Sequence, residues 1–309
     1  MLGTEDLGYR VVVRRIIGIR DNRPIYGDLL GELVDVSETQ ITVRTRAGAV
    51  TVDRTAVTAA KRVPDRRRPS ATEALERVAA EGWPAPDQQT LGDWLLRAAA
   101  GWTNRANSAL AVGDPGRPLP DAVDAVVRWY EDRGIRPAVM VPSPVGGRVT
   151  AELRRRGWVP QPAVLVQTAP LGAVPTADGD IRLDPAPSEA WLAVVAANKG
   201  SLPAAARHVL SAVRQVRFAR VDARSPAPIA IGRGVVTGDW LGVSLVEVAP
   251  EHRRKGIARQ VVGALAGWAA GLGARHAYLQ VQEHNAAAVA LYARLGFTTH
   301  HTYTTWNPA

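Results

Sequence analysis

A chain of 309 residues without cysteine has room for two or three domains. It excludes disulfides, cysteine nucleophiles and thiolate metal sites, as suits a reducing compartment. Hydrophobic residues make up 46% and charged residues 22%, the balance of a soluble globular protein. The net charge of +9 favours anionic partners such as a phosphate-bearing cofactor, nucleic acid or an acidic protein surface, and is equally ordinary in arginine-rich bacterial enzymes. No apolar run approaches ~18–20 residues, so no membrane span is expected. Met1-Leu2-Gly3-Thr4-Glu5-Asp6 lacks a basic region followed by an apolar core, so no signal peptide is expected and the cytoplasm is the expected compartment.

Residues 1–63 read as short strands joined by tight turns. Runs at 9–15, 27–36, 40–46, 49–52 and 55–62 are β-branched or alternate with period two, which suggests a small SH3-like β-barrel. Residues 64–70 form a linker, because prolines flank Arg66, Arg67 and Arg68 and the arginines repel one another. These arginines are a candidate contact for protein or nucleic acid, although Tyr9 and Tyr26 alone make no stacking platform. In residues 71–170, helices are expected at 71–80, 120–133 and 149–156. A strand pair is expected at 91–97 and 108–112, with further strands at 137–141 and 163–167. From 180 onward, strands are expected at 180–183, 216–221, 227–236, 244–248, 277–281 and 298–306. Helices are expected at 189–198, with Ser188 as N-cap, and at 204–213, 257–270 and 286–295. The architecture is therefore mixed α+β. A shift of 139 residues carries Trp129 onto Trp268, Gly134 onto Gly273, Gly157 onto Gly296 and Trp158 onto Phe297, the mark of an internal repeat.

One stretch, residues 244–297, orders the rest: a strand, a basic glycine turn, a helix, a strand and a helix. The turn holds Arg253, Arg254, Lys255, Gly256, Ile257, Ala258 and Arg259. Unpaired N–H groups and the positive helix dipole lie there, and Gly256 and the small Ala258 leave the main chain approachable, so the turn suits a pyrophosphate. Arg253, Gly256 and Ala258 meet the pattern Gln/Arg-x-x-Gly-x-Gly/Ala, with Val248-Ala249-Pro250 before it and Asn285, Tyr292 and Leu295-Gly296-Phe297 after it. In these residues the chain resembles the GCN5-related N-acetyltransferases, in the actinobacterial form with a preceding barrel.

The resemblance implies acetyl-CoA as cosubstrate and transfer by direct attack of an amine on the thioester. It implies that the backbone of Val246, Glu247 and Val248 pairs with the pantetheine arm, that residues 254–259 hold the pyrophosphate, and that Asn285 bonds along the arm. Tyr292 stands where the family keeps the acid that protonates the leaving thiolate, a role a phenol with pKa near ~10 can fill; otherwise it is a packing residue. Asn285 reads equally as the N-cap of its helix. One branch of the family keeps a carboxylate where this chain has Gln280, which cannot take a proton. Glu247 is then the candidate base, since burial beside the thioester would raise its pKa, unless strand alternation turns it to solvent. Glu283 and His284 are further candidates on a loop.

Under the 139-residue shift, Arg253 falls on Asp114, Gly256 on Arg117, Asn285 on Gly146 and Tyr292 on Leu153. The resemblance thus divides the chain into a barrel (1–63), a linker (64–70), a shortened, degenerate acetyltransferase-like copy without the CoA motif (71–170) and a catalytic copy (171–309). The histidines show no metal-ligand spacing, and His300 and His301 are expected on opposite faces of a strand, so no metal site is expected. Asn104, Asn107 and Ser108 read as groove lining or turn chemistry. Trp83, Trp94, Trp102 and Trp240 read as core or groove rim. The acceptor is a primary amine of unspecified kind: a protein lysine, an amino acid or a small amine. The alternative is a non-catalytic acetyl-CoA-binding or nucleic-acid-associated regulator.

Overall fold

The computed structural model describes residues 2–20, 23–45, 47–63, 69–177, 179–222 and 227–309. The chain divides into two compact units, Met1–Arg68 with Gly116–Pro118, and Pro69–Pro115 with Leu119–Ala309. The first unit holds β1 (Arg10–Arg20), β2 (Arg23–Val36), β3 (Gln40–Thr45), β4 (Gly48–Asp53) and β5 (Val57–Arg62), paired in the order β4-β3-β2-β1-β5. Every pairing is antiparallel. Alternation sends Val11, Val13, Leu33, Ile41 and Val43 into one core, each removing apolar surface from water. Five strands are present as expected, but among the described residues nothing pairs β4 with β5, so the sheet is open and not a closed barrel. β1 and β2 run on together to Arg20↔Arg23, where Ile17 and Ile19 are exposed. The arginine linker at Arg66, Arg67 and Arg68 lies outside the described residues.

The second unit runs, in chain order, α1 (Ala71–Glu81), β6 (Asp87–Leu91), β7 (Trp94–Ala98), β8 (Ala109–Leu110), α2 (Leu119–Glu131), β9 (Val139–Ser143), α3 (Gly147–Arg155), β10 (Val159–Pro160) and β11 (Val164–Pro170). It continues with β12 (Arg182–Asp184), α4 (Glu189–Lys199), α5 (Ala204–Ser211), β13 (Val216–Val221), β14 (Ala230–Thr237), β15 (Trp240–Val248), α6 (Ile257–Ala270), β16 (His276–Gln282), α7 (Ala286–Arg294) and β17 (Thr298–Asn307). All these strands share one sheet, in the order β12-β13-β14-β15-β16-β11-β17-β9-β8-β7-β6, with β10 paired to β17. The sheet is antiparallel except where β8 runs beside β9 and β15 beside β16; a helix, α2 or α6, makes each parallel crossover. β11 is inserted between β16 and β17, so strands from before and after residue 170 interleave.

Local chemistry accounts for the element ends. Ser70 and Glu73 close a capping box on α1, with Ser70 N–H donating to Glu73 Oε2 at 2.7 Å. Ser188 caps α4 by accepting from Trp191 N–H at 3.2 Å. The strand expected at 91–97 is instead broken by Gly92 at φ +56°, which turns the chain into the β6–β7 hairpin. Alternate residues of β16 separate two cores. Leu279 faces α6 with its buried Val261, Val262 and Leu265, and Tyr278 faces α1. Each fully buried Val or Leu contributes about 1.5–3 kcal/mol. α2 and α3 cover Val139 and Val141, and α4 and α5 cover Phe218, Ile231 and Val235.

Candidate functional site

β15 and β16 pair only from Trp240↔His276 to Val243↔Leu279. Beyond that point β15 bulges: its register on β14 slips between Ile231 and Arg233, and Leu245 takes φ +54°. A bulge bends its strand. Glu247 and Val248 therefore pair with β14 on one side alone, with Val246 in the register slip, while Gln280, Val281 and Gln282 pair with β11 on the far side. The notch between them is edged by main-chain groups that lack a ladder partner, the kind that pair with an extended ligand. Glu247 lies opposite Ile231, which belongs to the core under α4 and α5, whereas Val246 and Val248 pack into the core under α6. Glu247 is half-buried and sits on the α4–α5 face of the notch.

The basic turn closes one end of the notch. Arg253 Nε donates to Val248 O at 3.1 Å and ties the turn to the strand. Arg254 at φ +61° and Gly256 at φ +79° take left-handed backbone conformations within the turn, of the kind from which anion nests are built. Gly256 is also the N-cap of α6, and a Cβ built on it would meet no heavy atom within 4 Å. Arg254, Lys255 and Arg259 are exposed and make no ion pair among the described residues. Open space, unpaired N–H groups, a helix dipole and unpaired cations all suit a pyrophosphate.

Tyr292 and Asn285 stand across the notch on α7. The Tyr292 ring is half-buried and meets Phe297 edge-on at 5.9 Å. Burial, helped by the charge of Glu247, pushes its pKa up to about 12, so the phenol keeps its proton at neutral pH. Asn285 Oδ1 accepts from Ala288 N–H at 3.2 Å and caps α7, which leaves its amide N–H groups for another partner. Glu283 and His284 are exposed on the loop between β16 and α7. Gln280 accepts a hydrogen bond from Tyr303 Oη at 3.3 Å.

Several expectations change. His300 and His301 do not point apart. β17 bulges against β11, where Val166↔His301 is followed by Gln167↔Thr299, and the extra residue His300 turns its Nδ1 to within 2.8 Å of His301 Nδ1. His301 Nε2 in turn meets Glu76 Oε1 at 2.8 Å, with both side chains 1% exposed. Burial, then His301, hold the His300 pKa below its ordinary value. No spacing could have revealed this trio, because Glu76 lies far away in the sequence. Trp83, Trp94 and Trp102 are core residues at 2%, 0% and 5% exposure, and Trp240 is half-buried. Asn107 and Ser108 are buried; Asn107 holds its own loop and Ser108 receives Arg97. Ser244, at the bulge, buries a hydroxyl oxygen that has no hydrogen-bond partner; a serine inside an apolar strand was the legible sign. No group of three or more metal-ligating side chains occurs among the described residues, and none of their helices is long and apolar enough to cross a membrane.

Residues 69–306 match the family model described as "Probable histone acetyltransferase Rv0428c C-terminal". The chain is 30% identical over 316 residues to the probable histone acetyltransferase Rv0428c of Mycobacterium tuberculosis, covering 97% of this chain and 95% of that protein. It is 29% identical over 234 residues to the uncharacterized N-acetyltransferase YobR of Bacillus subtilis, covering 72% of this chain and 93% of that one. A solved GCN5-related N-acetyltransferase from Kribbella flavida superposes with a TM-score of 0.59 at 13% identity, covering 77% of this chain and 96% of that chain. That last likeness speaks for the fold alone.

Proposed function

The chain belongs to the family of the Rv0428c C-terminal acetyltransferase domain, within the GCN5-related N-acetyltransferases, and from this premise we propose that it moves an acetyl group from acetyl-CoA to a primary amine by direct attack in a ternary complex. The observation that carries the reading is the notch itself: a bulged strand end with free main-chain groups, closed by a basic left-handed turn and faced by a phenol that stays protonated. Val246 to Val248 hold the pantetheine arm as an added strand. Residues 254–259 hold the pyrophosphate, with Asn285 on the arm. Glu247 takes the proton from the attacking ammonium or amine. Tyr292 Oη gives its proton to the sulfur as the C–S bond breaks, and the products are the acetamide and free thiol.

Within this reading residues 1–63 are an SH3-like module, 64–70 a linker, 71–170 a degenerate acetyltransferase-like copy and 171–309 the catalytic copy. The return of β5 to lie beside β1 supports the first assignment. The repeat is supported by secondary structure: a shift of 139 residues lays α3 (Gly147–Arg155) on α7 (Ala286–Arg294) end for end, and α2 within α6. The parallel pairs β8–β9 and β15–β16 add to it.

Two measurements test the function. Acetyl-CoA raises the Tm of the wild-type chain; an unchanged Tm sinks the cofactor assignment. An amine panel releases free thiol from acetyl-CoA, and Glu247→Gln lowers that rate about tenfold or more. Binding without turnover by any amine favours a non-catalytic acetyl-CoA sensor.

A further inference from the structure

The sheet face that carries Glu247 also carries a cation that no carboxylate pairs with among the described residues. Trp83, 2% exposed, holds two guanidiniums over its ring, Arg105 at 4.4 Å and Arg233 at 5.0 Å from the centroid. Arg233 is fully committed: its Nε, Nη1 and Nη2 donate to the carbonyls of Leu210, Gly82 and Val209. Arg105 is half-buried and makes no hydrogen bond or ion pair among the described residues. A guanidinium stacked on indole uses its flat face and leaves its in-plane N–H fork free, the geometry that grips a carboxylate with two parallel bonds.

The loop that carries Arg105 is built and strained. Ala100 and Thr103 have positive φ, at +50° and +60°, on either side of Gly101 at +75°; strain at the two non-glycine residues persists where surroundings enforce it, commonly at ligand sites. Asn107, 6% exposed, supplies that enforcement. Its Oδ1 accepts from Ala99 and Gly101 N–H, and its Nδ2 donates to the Trp102 and Thr103 carbonyls. Trp83 Nε1 donates to Thr103 Oγ1 at 3.2 Å and locks the loop to the indole under Arg105. The loop residues Ala99, Trp102 and Ala106 share a core with Ile231, the cross-strand partner of Glu247, and with Leu245 of the bulge.

Further groups point the same way. The charge of Arg105 is felt at Tyr278 and Tyr303, where burial pushes each pKa up to about 12 and Arg105 opposes the rise. Tyr303 donates to Gln280, at the level where the notch opens. Three buried polar atoms on this face have no partner: Ser244 Oγ at the bulge, Trp102 Nε1 in the Arg105 loop and Glu76 Oε2. The buried carboxylate on the face, Glu76, meets His301 through Oε1; buried Arg97 is held by Ser108.

We infer that this face is the acceptor subsite and that the acceptor is an amine bearing a carboxylate, whose carboxylate pairs with the Arg105 fork while its amine reaches the open end of β15 beside Glu247. The inference rests on the reading of the chain as an amine acetyltransferase and narrows its acceptor. A lysine-rich tail would bring further positive charge to Arg105 and Arg233, on a chain already at +9. An amino acid or a related small amino-carboxylate brings the missing anion.

Matched probes test this by calorimetry on the protein saturated with CoA, so that turnover is not needed. L-phenylalanine, L-lysine and 4-aminobutyrate are set against phenethylamine, cadaverine and n-butylamine, with a lysine-rich peptide as competitor. The expected result is at least tenfold tighter binding of one or more carboxylated members than of their partners. Arg105→Gln abolishes the preference, Arg105→Lys retains part of it, and both variants keep the Tm rise caused by acetyl-CoA. Equal binding within every pair, no binding of any carboxylated probe, tighter binding of the peptide, or a preference that survives in folded Arg105→Gln overturns it. A wild-type chain that acetyl-CoA does not stabilise overturns instead the function on which the inference rests.

Discussion

The two halves of the large sheet each contain a parallel strand pair joined by a helix, and they differ along the connection and in the helix that follows. In each, a strand leaves the sheet, a helix crosses over, and a parallel strand returns beside the first. In the earlier half the chain runs from Ala109, paired with Val139, to the start of α2 at Leu119. In the later half it runs from Gly242, paired with Tyr278, to Ile257, a longer path. The shorter path stays bonded to its neighbour, with Ala111 N–H donating to Met140 O; the longer one bulges at Leu245 and opens the notch. The helix after the return strand differs too. Gly146 caps α3 without a side chain, and a Cβ there would lie 2.1 Å from Val141 Cγ1, whereas Asn285 caps α7 in the open. Leu153 is fully buried where the later half presents Tyr292. The extra chain, the bulge and the cationic turn thus belong to the later half, while the strand–helix–strand crossover is common to both.

The strongest way to break the contrast is at the turn. Gly256→Glu puts a β-carbon at φ +79° and a negative charge in the nest, and abolishes the Tm rise on adding acetyl-CoA. Arg117→Glu, at the corresponding place in the earlier half, leaves that rise unchanged; a loss there refutes the asymmetry. Next comes the α7–α3 pair. Tyr292→Phe lowers kcat about 100-fold or more with little change in KM for acetyl-CoA, and in wild type Tyr292, with its pKa of about 12, remains protonated and active up to pH 10 or so. Leu153→Ala costs about 2–5 kcal/mol in urea denaturation and leaves the rate per folded molecule intact.

Smaller effects probe the strands between the halves. His301→Asn strands the buried Glu76 carboxylate and costs about 3–5 kcal/mol in the same denaturation experiment; a loss under 1 kcal/mol would mean that β17 and α1 do not depend on that pair. Asn285→Ala removes one cap and costs about 1 kcal/mol. If it also weakens acetyl-CoA binding, as read from the cofactor-dependent Tm, the freed side of the amide acts on the cofactor; unaltered binding reduces Asn285 to its capping role.

Helices were the most legible part of the chain. The helix from Ile257 to Ala270 stands where its glycine turn and apolar spacing put it, and Ser188 and Asn285 cap as short polar residues before apolar runs do. The stretch 91–97 is not one strand, because Gly92-Asp93 interrupts its apolar run and turns the chain between Leu91 and Trp94. The places of Gly256 at the start of α6 and of Tyr292 on α7 were legible, since each is set by its local stretch of sequence. Glu76 with His301, and Arg105 over Trp83, were not, because each contact joins elements distant in the chain.

The order of residues along the chain was enough to locate the elements, the basic turn and the asymmetry between Arg253 and Asp114, because helix dipoles, caps and glycine φ angles act over a few residues. Folding in three dimensions decided what no local rule contains. It inserted β11 between β16 and β17, opened β15 from β16 after Val243, set Glu247 on one face of the notch and Val246 and Val248 on the other, and stacked Arg105 on Trp83 without an ion pair among the described residues. Strand partners and side-chain neighbours are fixed by burial of a shared core, and that burial is a property of the whole sheet rather than of any segment.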